Sequence, residues 1–308
     1  MTARAKTIQI FLPAGDPRGI RIAEITTRIV QVIEVPRSLL ADFLAMPEGT
    51  QVALYFLVGE TEDGSEDTVY VGQTGDLRAR LTAHNKEKDF WERALVLISR
   101  TNSLTQTHAL FLEWHCLQAI RTAGRFRDEN GNKGNRPFTP PPLEADCLEI
   151  FETGQALVST LGYPMFDALV QAVEKAVAPV MFHCQRRGAD GRGYYTADGF
   201  VVLRDSSGPL ENTASQGGTQ AERLRAPLIA SGVLVADGKR LRFTRDHLFR
   251  TPSGAASVLL GRSANGWIEW MTESRQTLDA IERQKVSAQS APSSATTDPP
   301  ACDSPTPR

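Results

Sequence analysis

The spacing of apolar positions changes period twice between residues 52 and 121. Val52-Ala53-Leu54-Tyr55-Phe56-Leu57-Val58-Gly59 is an apolar run of strand length. Thr68-Val69-Tyr70-Val71-Gly72-Gln73 is a second run, rich in β-branched residues. The polar, acidic loop between them holds the turn pair Asp63-Gly64, so the two runs predict a hairpin. From Leu77 the period becomes helical, carrying Leu81 and His84 and running to about Glu87. Residues 90–99 contain Ala94-Leu95-Val96-Leu97-Ile98, a third buried strand. Residues 101–121 space Leu104, Ala109, Leu110, Phe111, Trp114, Leu117 and Ile120 as a helix.

Upstream, Ile8-Gln9-Ile10-Phe11-Leu12 is a short strand signal, followed by dense turn chemistry through Gly19. Ile20-Arg21-Ile22-Ala23-Glu24-Ile25 alternates, and the β signal continues weakly to Val35. A short helix opens at Pro36-Arg37-Ser38 and stops at Pro47-Glu48-Gly49. Downstream, residues 122–142 form a long loop rich in Gly, Asn and Arg that ends in three prolines. A helix over 143–161 stops at Gly162, and residues 165–177 suit a second. Short β runs among glycines at 183–202, a helix at 221–231 and further segments at 241–249, 255–260 and on to Trp270 make a small α+β domain. From Ser287 onward Ser, Ala, Thr and Pro dominate, which predicts disorder. The expected order is a strand and helix lead-in (1–48), a core (49–142), linking helices (143–179), a C-terminal domain (180–280) and a tail (281–308).

Composition narrows the class. The chain has 308 residues, 41% hydrophobic and 23% charged, as soluble globular proteins do. No apolar run is long enough to span a membrane, and residues 1–6 lack the apolar core of a signal peptide. The four cysteines are scattered, with no Cys-x-x-Cys pair. A zinc or disulfide framework is not expected, and a reducing cytoplasm is. The net charge of −2 gives no global attraction for a polyanion. Residues 70–136, however, hold eleven basic and seven acidic side chains, a modest local basic surface. No P-loop is present. Asp128-Glu129-Asn130-Gly131-Asn132-Lys133-Gly134 has Lys133 where a calcium loop needs glycine.

Two features carry candidate chemistry. Arg80 and His84 lie one turn apart beside the Leu77/Leu81 stripe, aimed at the edge of the core. The ordinary reading of such a pair is a solvated helix flank. Glu113 has Ala109, Leu110, Cys116 and Leu117 as its helical neighbours. A carboxylate on that face needs either an ion pair or a bound cation. A hard divalent ion completed by water and phosphate oxygens would serve.

Taken in order, these residues resemble the GIY-YIG nuclease family. The first tripeptide stands as Ala53-Leu54-Tyr55, a departure that keeps the tyrosine, and the second as Tyr70-Val71-Gly72. Arg80, His84 and Glu113 follow at the family's spacing, and Asn135 matches its late asparagine, with Asn132 as the alternative. Residues 7–13 and 19–25 look like the lead-in of bacterial members. Residues 243–249, 252–256 and 265–270 are similar to DUF4357, a C-terminal domain often joined to such nucleases.

The resemblance implies an α+β fold with a three-stranded antiparallel sheet flanked by helices, and a DNA endonuclease that hydrolyses phosphodiesters with one metal ion. Glu113 would hold Mg²⁺ or Mn²⁺. Tyr55 would act as general base, alone or with Tyr70 and His84. Arg80 would stabilise the transition state, and Asn135 would orient phosphate or backbone. A catalytically weak DNA-binding protein on the same scaffold is the alternative. Gly72 reads as a strand end where no side chain fits. Trp267 and Trp270 could stack on bases, although the core reading is favoured.

Overall fold

The structure, a computed structural model, describes residues 5–61, 66–131, 134–168, 180–186, 188–212 and 220–282. The Asp63-Gly64 turn, Asn132, most of the expected 165–177 helix and nearly all of the expected tail fall outside them. The described residues form two compact units. The first comprises residues 5–168, 225–234 and 246–248; the second is the remainder.

In the first unit the chain runs through β1 (Gln9–Phe11), β2 (Arg21–Glu24), β3 (Val30–Pro36), α1 (Leu40–Ala45), β4 (Ala53–Glu60) and β5 (Asp67–Thr74). It continues through α2 (Leu77–Glu87), β6 (Trp91–Ser99), α3 (Gln106–Ala123), β7 (Arg127–Asp128) and α4 (Pro141–Thr160). The sheet has seven strands in the order β1-β2-β3-β6-β4-β5-β7, not three. The three expected strands are neighbours within it, as β6-β4-β5. The lead-in joins the same sheet, because β3 pairs with β6 from Val30↔Ser99 to Pro36↔Arg93. Its β signal is weak in sequence because all seven residues of β3 are buried. A strand covered on both faces loses the alternation that marks a half-exposed one.

Both faces of this sheet are covered. Phe56, Val58, Val69 and Val71 pack with Phe111, Leu112, Cys116 and Leu117 of α3 and with Ile150 and Leu157 of α4. On the other face Ile33, Val35, Tyr55, Leu57 and Val96 pack with Leu40 and Phe43 of α1 and Leu77 and Leu81 of α2. The three-proline run begins a helix instead of ending a loop. Pro140 is the N-cap of α4 and prolines fill its first positions, where a missing N–H costs nothing.

The C-terminal part contains β8 (Met181–Cys184), β9 (Gly191–Thr196), β10 (Gly199–Val202), β11 (Ser207–Pro209), α5 (Gln220–Ala230), β12 (Leu234–Asp237), β13 (Arg240–Phe243), β14 (His247–Phe249), α6 (Pro252–Leu260) and α7 (Gly266–Glu269). The 241–249 segment holds β13 and β14. β9 lies between β8 and β10, and β13 lies between β11 and β12. Trp270 is fully buried, stacked on Phe200 with ring centroids 4.2 Å apart, and its indole N–H donates to the Pro252 carbonyl at 3.1 Å. That tryptophan is core. Trp267 is half-buried, edge-on to Tyr195.

Candidate active site

Tyr55 projects from β4 on the face that α2 covers, and Gly72 of β5 stands directly opposite it. The Tyr55 ring passes over Gly72, where a Cβ would lie 2.3 Å from the phenol oxygen. Gly72 is therefore not a strand end, since β5 continues to Thr74. It is the gap through which the ring reaches the site. Tyr70, two residues earlier on the same face, is half-buried.

α2 is N-capped by Asp76, whose carboxylate accepts the Ala79 N–H at 3.0 Å. With Leu77 and Leu81 seated in the core, the same helix carries Arg80 and His84 to the tyrosines. His84 is only 4% exposed, so it is no solvated flank. Its Nε2 lies 2.9 Å from the Tyr55 hydroxyl. The Tyr55, Tyr70 and His84 rings form a triangle with centroid separations of 6.4, 5.7 and 5.1 Å.

Glu113 comes from α3, on the other side of the sheet. It is half-buried and makes no ion pair among the described residues, so the ordinary salt-bridge reading does not account for it. The Gln73 backbone N–H supports its carboxylate, and the Arg80 charge acts on Glu113, Tyr55 and Tyr70 alike. The outer edge of β5 is open here, because β7 pairs only with Thr68 and Val69. Asn130 takes over one step further along. Its side chain accepts the Val71 N–H at 2.9 Å and donates to the Val71 carbonyl at 2.7 Å. Asn130 was not singled out in the sequence. Its only signal is its place in the segment that faintly resembles a calcium loop. The acid of that segment instead ties it to α3, since Asp128 accepts from Arg121 at 2.7 Å.

Five of the six expected residues are thus linked by ring contacts, a hydrogen bond or the Arg80 charge, and Asn135 is not among them. It is exposed, with no hydrogen bond seen among the described residues. Its neighbours fasten the segment to α3: Gly134 lies against Leu117 and Trp114, and the Arg136 guanidinium sits 5.2 Å from the Trp114 ring centre.

Burial dominates the electrostatics. It pushes the Tyr55 phenol well above its ordinary value, with the neighbouring Tyr70 adding to the rise and Arg80 opposing it. Tyr70 is raised for the same first reason. His84 is pushed down to about 4 by burial and then by the charges of Arg80 and Lys88. Glu113 is raised by burial, against Arg80 and the Gln73 N–H. At neutral pH the pair is therefore a protonated phenol beside a neutral imidazole, and the histidine tautomer sets which of them donates. In either tautomer Nδ1 is buried without a partner among the described residues. An unsatisfied buried group costs about 1–3 kcal/mol, which makes this histidine a poor choice for stability alone.

A pH dependence follows. A histidine whose folded pKa lies below its unfolded value favours the folded state only while neutral, so the unfolded chain takes up the extra proton on acidification. The thermal midpoint should fall as pH drops from about 6.5 towards about 4. His84→Gln should flatten that part of the profile, which differential scanning calorimetry across the range would read. An unchanged slope would show that His84 titrates normally.

The site suits one kind of metal. Among the described residues no group of three or more His, Cys, Asp or Glu side chains could hold an ion. A zinc-type cage is absent from them, and a cation at Glu113 would rest on one carboxylate. That donor set fits Mg²⁺ or Mn²⁺, which keep waters and take substrate phosphate oxygens.

Compared with known families, residues 182–282 match the model for a domain of unknown function, DUF4357. No GIY-YIG family match accompanies it. No curated protein and no solved structure matches the chain. The protein is thus of mixed α+β class, with a DUF4357 domain in its C-terminal part. Among the described residues no helix is long and apolar enough to cross a membrane.

Proposed function

We propose that the first unit is a metal-dependent DNA endonuclease. The observation that carries this reading is the buried Tyr55–His84 hydrogen bond with the unpaired Glu113 and the Arg80 charge around it. A structural role explains a buried Tyr–His pair, but not a desolvated carboxylate left without an ion pair beside it.

The chemistry assigned to these residues is hydrolysis. A water oxygen attacks phosphorus and its proton goes to the Tyr55 oxygen. The phenol proton passes along the 2.9 Å bond to His84 Nε2. The P–O bond to the leaving oxygen breaks, and that oxygen collects a proton from solvent. Routing the proton to His84 avoids a free phenolate, which the burial of Tyr55 disfavours. The negative phosphate favours the imidazolium that forms. Arg80 stabilises the charge that builds on the equatorial oxygens. A Mg²⁺ or Mn²⁺ ion on Glu113 would polarise the phosphate and stabilise the leaving oxygen. Asn135, exposed next to the segment that Gly134 and Arg136 hold against α3, would orient phosphate or backbone.

The test is cleavage of supercoiled, linear and branched DNA with Mg²⁺ or Mn²⁺ by the wild type, Glu113→Ala and Tyr55→Phe. Tyr55→Phe removes the proton relay and should slow cutting by about 10²–10⁴-fold. No cleavage of any substrate, with salt-sensitive binding equal in wild type and Glu113→Ala, would leave only a DNA-binding scaffold.

A further inference from the structure

Lys88 closes α2, with its backbone N–H bonded to the His84 carbonyl at 3.0 Å. Its ammonium lies 4.2 Å from the centre of the Tyr70 ring. The side chain is half-buried and makes no ion pair among the described residues. Adjacent Glu87 is exposed, and Asp89 faces Arg37 at 3.7 Å. A partly desolvated ammonium normally finds a carboxylate, and this one is held on an aromatic face instead.

Its position explains why. Arg80, His84 and Lys88 recur every four residues, so one stripe of α2 faces the tyrosines. At about 1.5 Å per residue, the Cα atoms of Arg80 and Lys88 stand roughly 12 Å apart along the helix, one on each side of His84. Both charges act on the imidazole. Nothing in the hydrolysis assigned above uses Lys88, since Arg80 already serves the reacting phosphate. A second unpaired cation on the same stripe suits a second phosphate.

We propose that Lys88 is a phosphate-binding residue of this site, holding a DNA backbone phosphate neighbouring the one that is cut. The assignment rests on the nuclease reading and adds to it a polynucleotide requirement: the substrate must extend past the scissile bond on the Lys88 side. Tyr70 supplies the platform that keeps the ammonium in place before DNA arrives. A free ammonium on a flexible stem would otherwise lose more rotational freedom on binding.

The experiment measures DNA affinity against salt by fluorescence anisotropy, using full-length chain in a Glu113→Ala background that cannot cut. Lys88→Gln should reduce the slope of log K against log[salt] by about one, and Lys88→Arg should restore it. In the Glu113 chain, Lys88→Gln should raise KM and leave kcat near wild type. An unchanged salt slope with a fall in kcat would overturn the assignment, leaving Lys88 as a positioning residue for Tyr70. A wild type that neither binds nor cuts DNA would overturn the nuclease reading itself. Binding and cutting by the wild type with no effect of Lys88→Gln would overturn the Lys88 proposal alone.

Discussion

On the proposed nuclease reading, Glu113→Ala is expected to lose metal-dependent DNA cleavage by on the order of 10³-fold or more, while the protein stays folded and keeps any DNA binding of the wild type. The loss follows from the donor set. With one carboxylate in the site, removing it removes the only protein anchor for a divalent ion among the residues brought together there. The stability effect is as informative. Burial raises the Glu113 carboxyl, so ionising it at neutral pH works against folding. Alanine relieves that cost, and Phe111, Leu112, Cys116 and Leu117 still seat α3. The thermal midpoint should therefore hold or rise. A midpoint that falls with activity would identify Glu113 as a structural residue and remove the ground for the metal.

The second large effect is expected far from the tyrosines. Glu34→Ala should destabilise the first unit by about 3–5 kcal/mol, the range for breaking a buried ion pair. For a domain of this size that lowers the midpoint by roughly 10 °C. Glu34 is fully buried in β3. Arg21, its direct partner across β2, donates to one carboxylate oxygen. Arg93 of β6 and the Tyr163 hydroxyl both donate to the other at 2.9 Å. Arg21 also reaches the Leu161 carbonyl at 3.1 Å, so one carboxylate ties three strands to the end of α4. Alanine would leave two guanidinium groups and a phenol without their acceptor. Glu34→Gln keeps an acceptor for Tyr163 and should cost less. Urea melts of the three proteins would measure this. A loss below about 1 kcal/mol in Glu34→Ala would show that water replaces the carboxylate.

Glu34 also illustrates what local pattern hides. In sequence it interrupts a weak β run and gives no sign of its partners, which lie 13, 59 and 129 positions away. The reach of the sheet was hidden for the same reason. β3 pairs with β6 across more than fifty residues, and its burial on both faces removes the alternation that would have made it conspicuous. The proline run before α4 misled in another way. Prolines read as the end of a loop, yet they are equally suited to the first turn of a helix.

The sequence by itself determined the local elements of the candidate site. The Val52–Gly59 and Thr68–Gln73 runs become β4 and β5, the switch to helical period at Leu77 marks the start of α2, and the apolar ladder around Glu113 lies on α3. These are short-range properties, set by side-chain period and by the Asp76 cap. Only the tertiary structure decided what those elements do together. Tyr55 reaches His84 because Gly72, seventeen residues away, has no side chain in its path. Burial, with the Arg80 and Lys88 charges beside it, holds the His84 pKa down, and Glu113 approaches from the opposite side of the sheet, where β7 leaves the outer edge of β5 unpaired. Asn135 is exposed, and no hydrogen bond joins it to the other five among the described residues. Spacing along the chain constrains which residues can meet, but burial and approach in space settle their chemistry.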